Sequence, residues 1–195
     1  MADFPVAANA DDIMRSSAGA WTDTTYSYVG HQGAPPVPAY ETLLRVQLVA
    51  SIPVGSTINS AVVAFESLGG SGTLSIPIYA LNYQSCSAFP LEYAPVLMEE
   101  FVTWEQAALP SGETYTTPDI SAVVQEWLDG FGGHADTDYF GLTVKGTGGV
   151  GQNIVAVGTK NGAQPPVLSI TWTPPAAGGI ARVAMGPTLG RRLIL

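Results

Sequence analysis

Apolar and polar residues alternate in short runs along most of this chain, which is the period of β-strands that bury one face. The clearest runs are residues 42–49, 58–67, 73–81, 139–145, 153–158 and 167–173, with shorter ones at 10–15 and 101–104. In the first clear run, Leu44, Val46 and Leu48 share one face, and Leu43 lies on the other. The alternation therefore predicts seven or eight short strands.

Turn residues separate these runs and suggest how the strands are joined. Gly69-Gly70-Ser71-Gly72 is expected to close a hairpin between the runs at 58–67 and 73–81. Pro77 lies within the second of these runs and has no N–H to donate to a ladder. We therefore expect that strand to lie at a sheet edge or to point the proline nitrogen outwards.

One segment has the period of a helix instead. Asp119 is a good N-cap, and an apolar stripe follows it at helical spacing. The stripe consists of Ile120, Val123, Val124, Trp127 and Leu128. Asp129-Gly130, followed by Gly132-Gly133, should end the helix, which is predicted at about 119–129. Many short strands and one crossover helix predict an all-β fold, an antiparallel β-sandwich of jelly-roll type.

The length and the pattern together suggest one domain with two tails. A chain of 195 residues with 46% hydrophobic content can bury one large core without disulfides or metals. The sandwich is predicted at residues 10–174, after an N-terminal arm at 1–9. Residues 16–41 and 82–100 are expected to be long loops. Residues 175–195 are predicted to be a linker and an apolar-basic tail.

The charge is divided unevenly between the two parts of the chain. Residues 1–138 carry all 16 acids and only Arg15 and Arg45, a net charge of −14 (2 − 16). Residues 139–195 contain five bases and no acid, a net charge of +5, which completes the total of −9. So acidic a body argues against a nucleic-acid partner.

The single cysteine and the hydropathy of the chain indicate in which cell compartment the protein is expected. Cys86 cannot form a disulfide within the chain and is expected to be buried or half-buried. The first residues lack a basic segment followed by an apolar one, and no apolar run is long enough to span a bilayer. We therefore expect no signal peptide, no transmembrane segment and no membrane partner.

The inventory of catalytic groups is thin, and no enzyme is expected. Residues 146–151 satisfy the G-x-G-x-x-G pattern, but a strand-like segment follows where dinucleotide binding needs a helix. A glycine-rich hairpin turn is the better interpretation. His31 and His134 lie in neither a zinc nor a triad spacing. Glu99, Glu100 and Glu105 are interpreted as surface acids rather than as a hydrolytic pair.

Six segments, taken in order, resemble a known family. They are LLRVQLVASIPVGSTINSAVVAF, TLSIPIYAL, FVTWEQAALPSG, PDISAVVQEWLDG, YFGLTVKG and QPPVLSITW. Together they resemble the DNRLRE-type domain, a jelly-roll module similar to carbohydrate-binding modules, over residues 10–174. The resemblance implies a surface-displayed, adhesive or structural module and carries over no catalytic residue.

Two ligand sites are candidates, each with a plainer alternative. Similar jelly-roll modules hold structural calcium, for which Asp136 and Asp138 are the candidate ligands here, beside His134. A solvated polar loop is the alternative, and no other cofactor is expected. Trp21, Tyr26 and Tyr28 are candidates for an aromatic platform that stacks on a sugar ring. The alternative is that these three aromatic residues cover a sheet edge.

Three classes of function remain: a structural virion protein of a bacteriophage, a carbohydrate-binding module, and a bacterial surface or matrix protein. The last two normally need export, so we favour the virion protein, a head decoration, spike or fibre-attachment subunit assembled in the host cytoplasm. Its partners would be other virion subunits or copies of itself, and a glycan in the alternative. The expected partner-binding residues lie in the tail. They are Arg182, Val183, Met185, Leu189, Arg191, Arg192, Leu193 and Leu195.

Overall fold

The computed structural model describes residues 1–6, 12–16, 21–22, 26–31, 39–71, 73–89, 95–106, 110–135, 137–145, 153–158 and 164–176. Twelve strands and one helix lie within these residues. The strands are β1 (Ala2–Pro5), β2 (Asp12–Ser16), β3 (Trp21–Thr22), β4 (Tyr26–His31), β5 (Ala39–Gln47), β6 (Thr57–Ser71), β7 (Leu74–Leu81), β8 (Leu97–Gln106), β9 (Thr114–Thr116), β10 (Tyr139–Lys145), β11 (Asn153–Gly158) and β12 (Val167–Thr173). The helix, α1, spans Ser121–Phe131.

The strands form two antiparallel layers joined by one long strand. The first layer has the order β1-β12-β6-β9, and the second has the order β11-β4-β5-β10-β7-β8, with β2 on β5 and β3 on β2. The 15-residue β6 belongs to both, because its first half pairs with β12 and its last residues pair with β11. Insertion of β10 between β5 and β7 is the interleaving expected of a jelly roll. The predicted all-β sandwich is confirmed.

The inner core lies between the two layers and beneath α1. Apolar side chains from β5, β6, β7, β10 and β12 alternate into it, as the period-two pattern predicts. Phe65 of β6 and Trp104 of β8 stack with ring centroids 6.1 Å apart. The largest fully buried side chain among the described residues is Trp127 of α1, whose ring forms a T-shaped pair with Phe140, with ring centroids 5.1 Å apart. The helix therefore closes one side of the sandwich.

The helix carries the predicted buried stripe but begins and ends two residues later than predicted. Its N-cap is Ile120 rather than Asp119. The Asp119 carboxylate still satisfies the helix start, since Oδ1 accepts the N–H of Ser121 at 3.0 Å and that of Ala61 at 2.9 Å. At the other end, Gly132 adopts a left-handed φ of 69°, a conformation that glycine tolerates best. These bonds anchor α1 to β6.

Several short strands depart from the predicted pattern. Residues 2–5, expected within an arm, form β1 and pair with β12. The expected loop at 16–41 contains β3 and β4, and the expected loop at 82–100 ends four residues early because β8 begins at Leu97. These elements are too short, or too polar, to show an alternation.

One predicted connection is wrong, and one of the two alternatives for the strand that contains Pro77 is excluded. The strands β6 and β7 do not pair with each other, so residues 69–72 do not close a hairpin between them. Gly69 and Gly70 instead continue β6 into the second layer, where they pair with β11. The strand β7 is not at an edge, because β10 and β8 flank it. Pro77 is accommodated because the ladder with β10 covers only the residues from Ile78 to Ala80.

A second, smaller cluster lies on the outer face of the second layer. Leu43, which the alternation placed opposite the core, is fully buried there with Leu81, Cys86 and Phe89. Residues 82–89 fold over this face and supply the cover. We call these four residues the outer cluster.

Candidate attachment site

The chain leaves the sandwich at one end, next to two loops that are held firmly in place. Strand β12 finishes at Thr173, opposite Thr57 at the start of β6, and the Asn59 amide donates to Thr173 Oγ1 at 2.9 Å. Pro175 then lies against the β5–β6 loop, 3.7 Å from where a side chain at Gly55 would begin. We call this region, residues 48–56, 132–135, 137–138 and 173–176, the exit end.

The β5–β6 loop presents apolar side chains at the exit end. The Ser56 N–H donates to the Pro53 carbonyl at 3.1 Å and closes a turn, in which Gly55 has a φ of 76°. A positive φ at the third position of such a turn requires glycine or asparagine. The turn projects Val54 into solvent with 65% of its surface exposed, and Val49 of the same loop is 66% exposed.

His134 joins this loop to the segment after the helix. Its Nε2 accepts the buried N–H of Ile52 at 2.9 Å, and its Nδ1 lies 2.7 Å from the Ala135 carbonyl. Because Nε2 accepts, the proton of this neutral imidazole sits on Nδ1 and is donated to Ala135. Both ring nitrogens are used in structural hydrogen bonds, so His134 is a positioning residue for the loop.

Gly133 allows the two segments to approach closely. Its φ is 94°, and a Cβ added there would lie 2.7 Å from Val54 Cγ2 and 3.2 Å from the Val54 nitrogen. No other residue fits this position without moving the turn. The exposed Val54 side chain is therefore held on a rigid support.

Gln125 ties the helix to the same loop. Its Oε1 accepts the N–H of Ile58 at 2.8 Å, and its Nε2 donates to the Ser56 carbonyl at 3.2 Å and to Asp129 Oδ1 at 3.0 Å. The side chain amide thus satisfies backbone groups on both sides of the start of β6. Together, Gln125 and His134 connect the loop of the exit end to α1 and to the segment that follows it.

An open pocket of about 430 Å³ lies between these loops. Its walls are Ile52, Pro53, Val54, Gln84, Gly132, Gly133, His134, Ala135 and Asp138. The Asp138 carboxylate is the only formal charge among these nine residues, and its Oδ2 accepts the Ala135 N–H at 2.8 Å. The pocket suits an apolar side chain that has a basic neighbour.

The described residues provide no set of ligands for the predicted calcium ion. Asp138 belongs to the hydrogen-bonded turn with Ala135, and Asp136 lies outside the described residues. In the part of the chain that the structure describes, no three His, Cys, Asp or Glu side chains are grouped to hold a metal ion. The role of Asp138 that the structure shows is to hold the pocket wall.

The predicted aromatic platform is only partly described. Trp21 begins β3, opposite Arg15 of β2, whereas Tyr26 and Tyr28 lie on β4, opposite residues of β11. Strands β3 and β4 are not paired with each other. The side chains of these three residues lie outside the description, as do all eight predicted partner-binding residues of the tail.

Sequence reasoning missed a second aromatic surface. Tyr79 of β7 and Phe101 of β8 stack across the ladder on the outer face of the second layer, with ring centroids 5.1 Å apart. Phe101 is 48% exposed, and further along the same two strands Ser75 Oγ donates to Glu105 Oε1 at 2.6 Å. The sequence did contain a sign of this surface, since Tyr79 and Phe101 each lie at an outward position of a strand in which inward and outward residues alternate.

Comparison with known proteins adds no assignment. The sequence matches no protein-family model and none of the curated proteins with which it was compared. Within the described part of the chain, no helix has the length and apolar character needed to cross a membrane. The resemblance to the DNRLRE-type domain stays a prediction.

Proposed function

We propose that this protein is a non-enzymatic structural subunit of a bacteriophage virion, such as a head decoration, spike or fibre-attachment subunit. It docks through the residues that follow β12 and displays the β-sandwich. One observation carries the proposal: the described chain ends just after Pro175, which lies against Gly55 of the loop that exposes Val49 and Val54. The apolar-basic sequence thus follows directly after a contact with a loop that carries two exposed valines.

The chemistry of the tail supports an attachment role. Residues 177–195 contain three arginines, no acid, and apolar residues up to Leu195. Apolar anchors flanked by arginine are typical of protein interfaces, where arginine is enriched and acids are depleted. The remainder of the chain is strongly acidic, so a second copy or another acidic subunit offers a complementary surface.

The buried thiol fits assembly in a reducing compartment. Cys86 is 1% exposed and is the only cysteine of the chain, so the sandwich is stabilised without disulfides. Disulfides are typical of exported domains and rare in cytosolic ones. A particle subunit assembled in a host cytoplasm must likewise be stable without disulfides.

The test is to fractionate a native lysate on a density gradient and to locate the protein by mass spectrometry. We expect it to sediment with DNA-filled particles. Deletion of residues 178–195 should leave a folded domain, checked by its urea unfolding curve, that remains in the slow fractions. Recovery of the intact protein only in slow fractions would overturn the proposal, as would particle binding by the folded deletion variant.

Glycan binding is the second candidate, favoured by the stacked pair of half-buried Tyr79 and exposed Phe101. Stacked rings on an open sheet face offer an apolar platform, and Ser75 and Glu105 supply polar groups on the same strands. In a glycan-binding screen, Phe101→Ala should abolish binding, whereas Val96→Ala, another exposed apolar residue near the same strand, should not. Loss with Trp21→Ala alone would favour the platform at Trp21, Tyr26 and Tyr28 instead.

A further inference from the structure

We propose that the pocket at the exit end seats the chain's own C-terminal segment, residues 180–195. The inference rests on the proposed function and deepens it. The attachment segment would be held on its own domain, and the docked segment together with Val49 and Val54 would form one composite surface for the partner.

The C-terminal segment starts close enough to the pocket to reach it. Pro175 lies against Gly55, whose neighbour Val54 forms part of the pocket wall. Only residues 177–179, Ala-Gly-Gly, separate the described chain from Ile180. Three extended residues span roughly 10 Å, and a tether this short gives an effective concentration on the order of millimolar or more. Seating the segment on its own domain therefore needs no second molecule.

The segment also fits the pocket chemically. The pocket has apolar walls from Ile52, Pro53 and Val54, and its one formal charge is the Asp138 carboxylate. The segment supplies apolar side chains with three arginines and no acid. Its charge is opposite to that of the pocket, and its apolar residues match the walls.

The wall of the pocket that would receive the segment is rigid. Val54 is exposed, yet its turn is fixed by the glycine at 55, by the close approach of Gly133 and by the His134 bond to Ile52. A preformed apolar surface binds without first paying the entropy of ordering itself. Val49, equally exposed on the same loop, does not line the pocket and provides a matched control.

The experiment uses the full chain with a photoreactive p-benzoylphenylalanine in place of Val54, and a second protein with the same group in place of Val49. After irradiation, mass spectrometry should find position 54 joined to residues 180–195 within single chains. Position 49 should give several times less of this product. Equal yields from the two positions, or no product with this segment, would overturn the proposal.

The mass of the product decides which copy supplies the segment. A product of monomer mass, unchanged in yield on dilution, supports docking on the chain's own domain. A product of dimer mass that disappears on dilution would assign the segment to a second copy and overturn the inference. Full-length Val54→Ser should expose residues 180–195 to limited proteolysis, and Val49→Ser should not.

This result is separable from that of the proposed function. If the intact protein sediments with particles but position 54 gives no product with the segment, attachment stands and the docking site is wrong. If the product forms but the protein stays in slow fractions, the docking site stands and the virion role is wrong.

Discussion

The two apolar clusters of this protein differ in how they are enclosed. The inner core is covered by two sheet layers and by α1, so each of its residues is held by several elements. Among the described residues, the outer cluster has one sheet face on one side and residues 82–89 on the other. A cover formed by one segment can open without the rest of the fold, so we expect the outer cluster to open before the protein unfolds.

Several polar contacts hold the cover of the outer cluster in place. The Cys86 N–H donates to the Tyr139 carbonyl at 2.8 Å, and the Arg45 guanidinium donates to the Cys86 carbonyl at 3.2 Å. The same guanidinium lies 4.0 Å from the centre of the Tyr139 ring. From the inner core, the Trp127 indole N–H reaches the Tyr83 carbonyl at 2.8 Å. Trp127 therefore touches both regions.

The largest effect should come from Trp127. We expect Trp127→Ala to lower the free energy of unfolding by about 3–5 kcal/mol, the usual cost of removing a large buried aromatic side chain. Trp127→Phe keeps an aromatic ring in the core but removes the donor to Tyr83, so its cost beyond the change in volume should be about 1–3 kcal/mol. Urea unfolding measures both. A cost below about 1 kcal/mol for Trp127→Ala would contradict the role of α1 in closing the core.

The second effect concerns the packing of the outer cluster against β10. A Cβ at Gly141 would lie 2.8 Å from Leu81 Cδ1 and 3.0 Å from Cys86 Sγ. We expect Gly141→Ala to destabilise the protein by about 1–3 kcal/mol through overpacking. In urea unfolding the loss should be accompanied by easier proteolysis within residues 82–89.

Gly130→Ala is the matched control for that substitution. In α1 the added Cβ meets only the flexible end of Met98, at 3.1 Å. Alanine is favoured over glycine in a helix by about 1 kcal/mol, so this variant should be neutral or more stable. If both variants lose equal stability, the outer cluster is not closely packed and the comparison fails.

The inner core was predictable from the sequence because its residues obey two simple periods. The stripe from Ile120 to Leu128 and the alternation along β10 and β12 were enough to place α1 and the main strands. The outer cluster was not predictable, because Leu43 is covered by a segment with no period of its own. Alternation assigns a residue to a face of the sheet, but it does not show whether a loop covers that face.

The exit end also could not be predicted from local sequence patterns, because contacts between distant residues shape it. The bonds that shape it join Gln125 to residues 56 and 58, and His134 to Ile52, across more than 60 residues of sequence. Nothing in the local pattern around His134 indicates such a partner. The glycines at 132 and 133 were expected to end the helix, but the steric demand of Val54 on Gly133 appears only in three dimensions. The tail residues and Trp21 stay predictions.

The smallest effect is the sharpest test of the comparison, because it uses Cys86 as a probe of local opening. The only thiol of the chain is 1% exposed, so a thiol reagent reaches it only when the outer cluster opens. Arg45→Met removes the contact with Tyr139 and the bond to the Cys86 carbonyl. A loss of about 1 kcal/mol should raise the labelling rate about fivefold in native buffer. Lys145→Met removes an exposed cation on β10 and should leave the rate unchanged.

Ile170→Val, in the inner core on β12, separates local from global opening. It should cost about 0.5–1.5 kcal/mol of global stability, similar to the cost of Arg45→Met. If Cys86 becomes exposed by opening of residues 82–89 alone, Ile170→Val weakens the closed and the open state equally and the labelling rate does not change. If labelling requires unfolding of the whole sandwich, the rate must rise about as much in this variant as in Arg45→Met. That second outcome would show that the outer cluster and the inner core form a single cooperative unit.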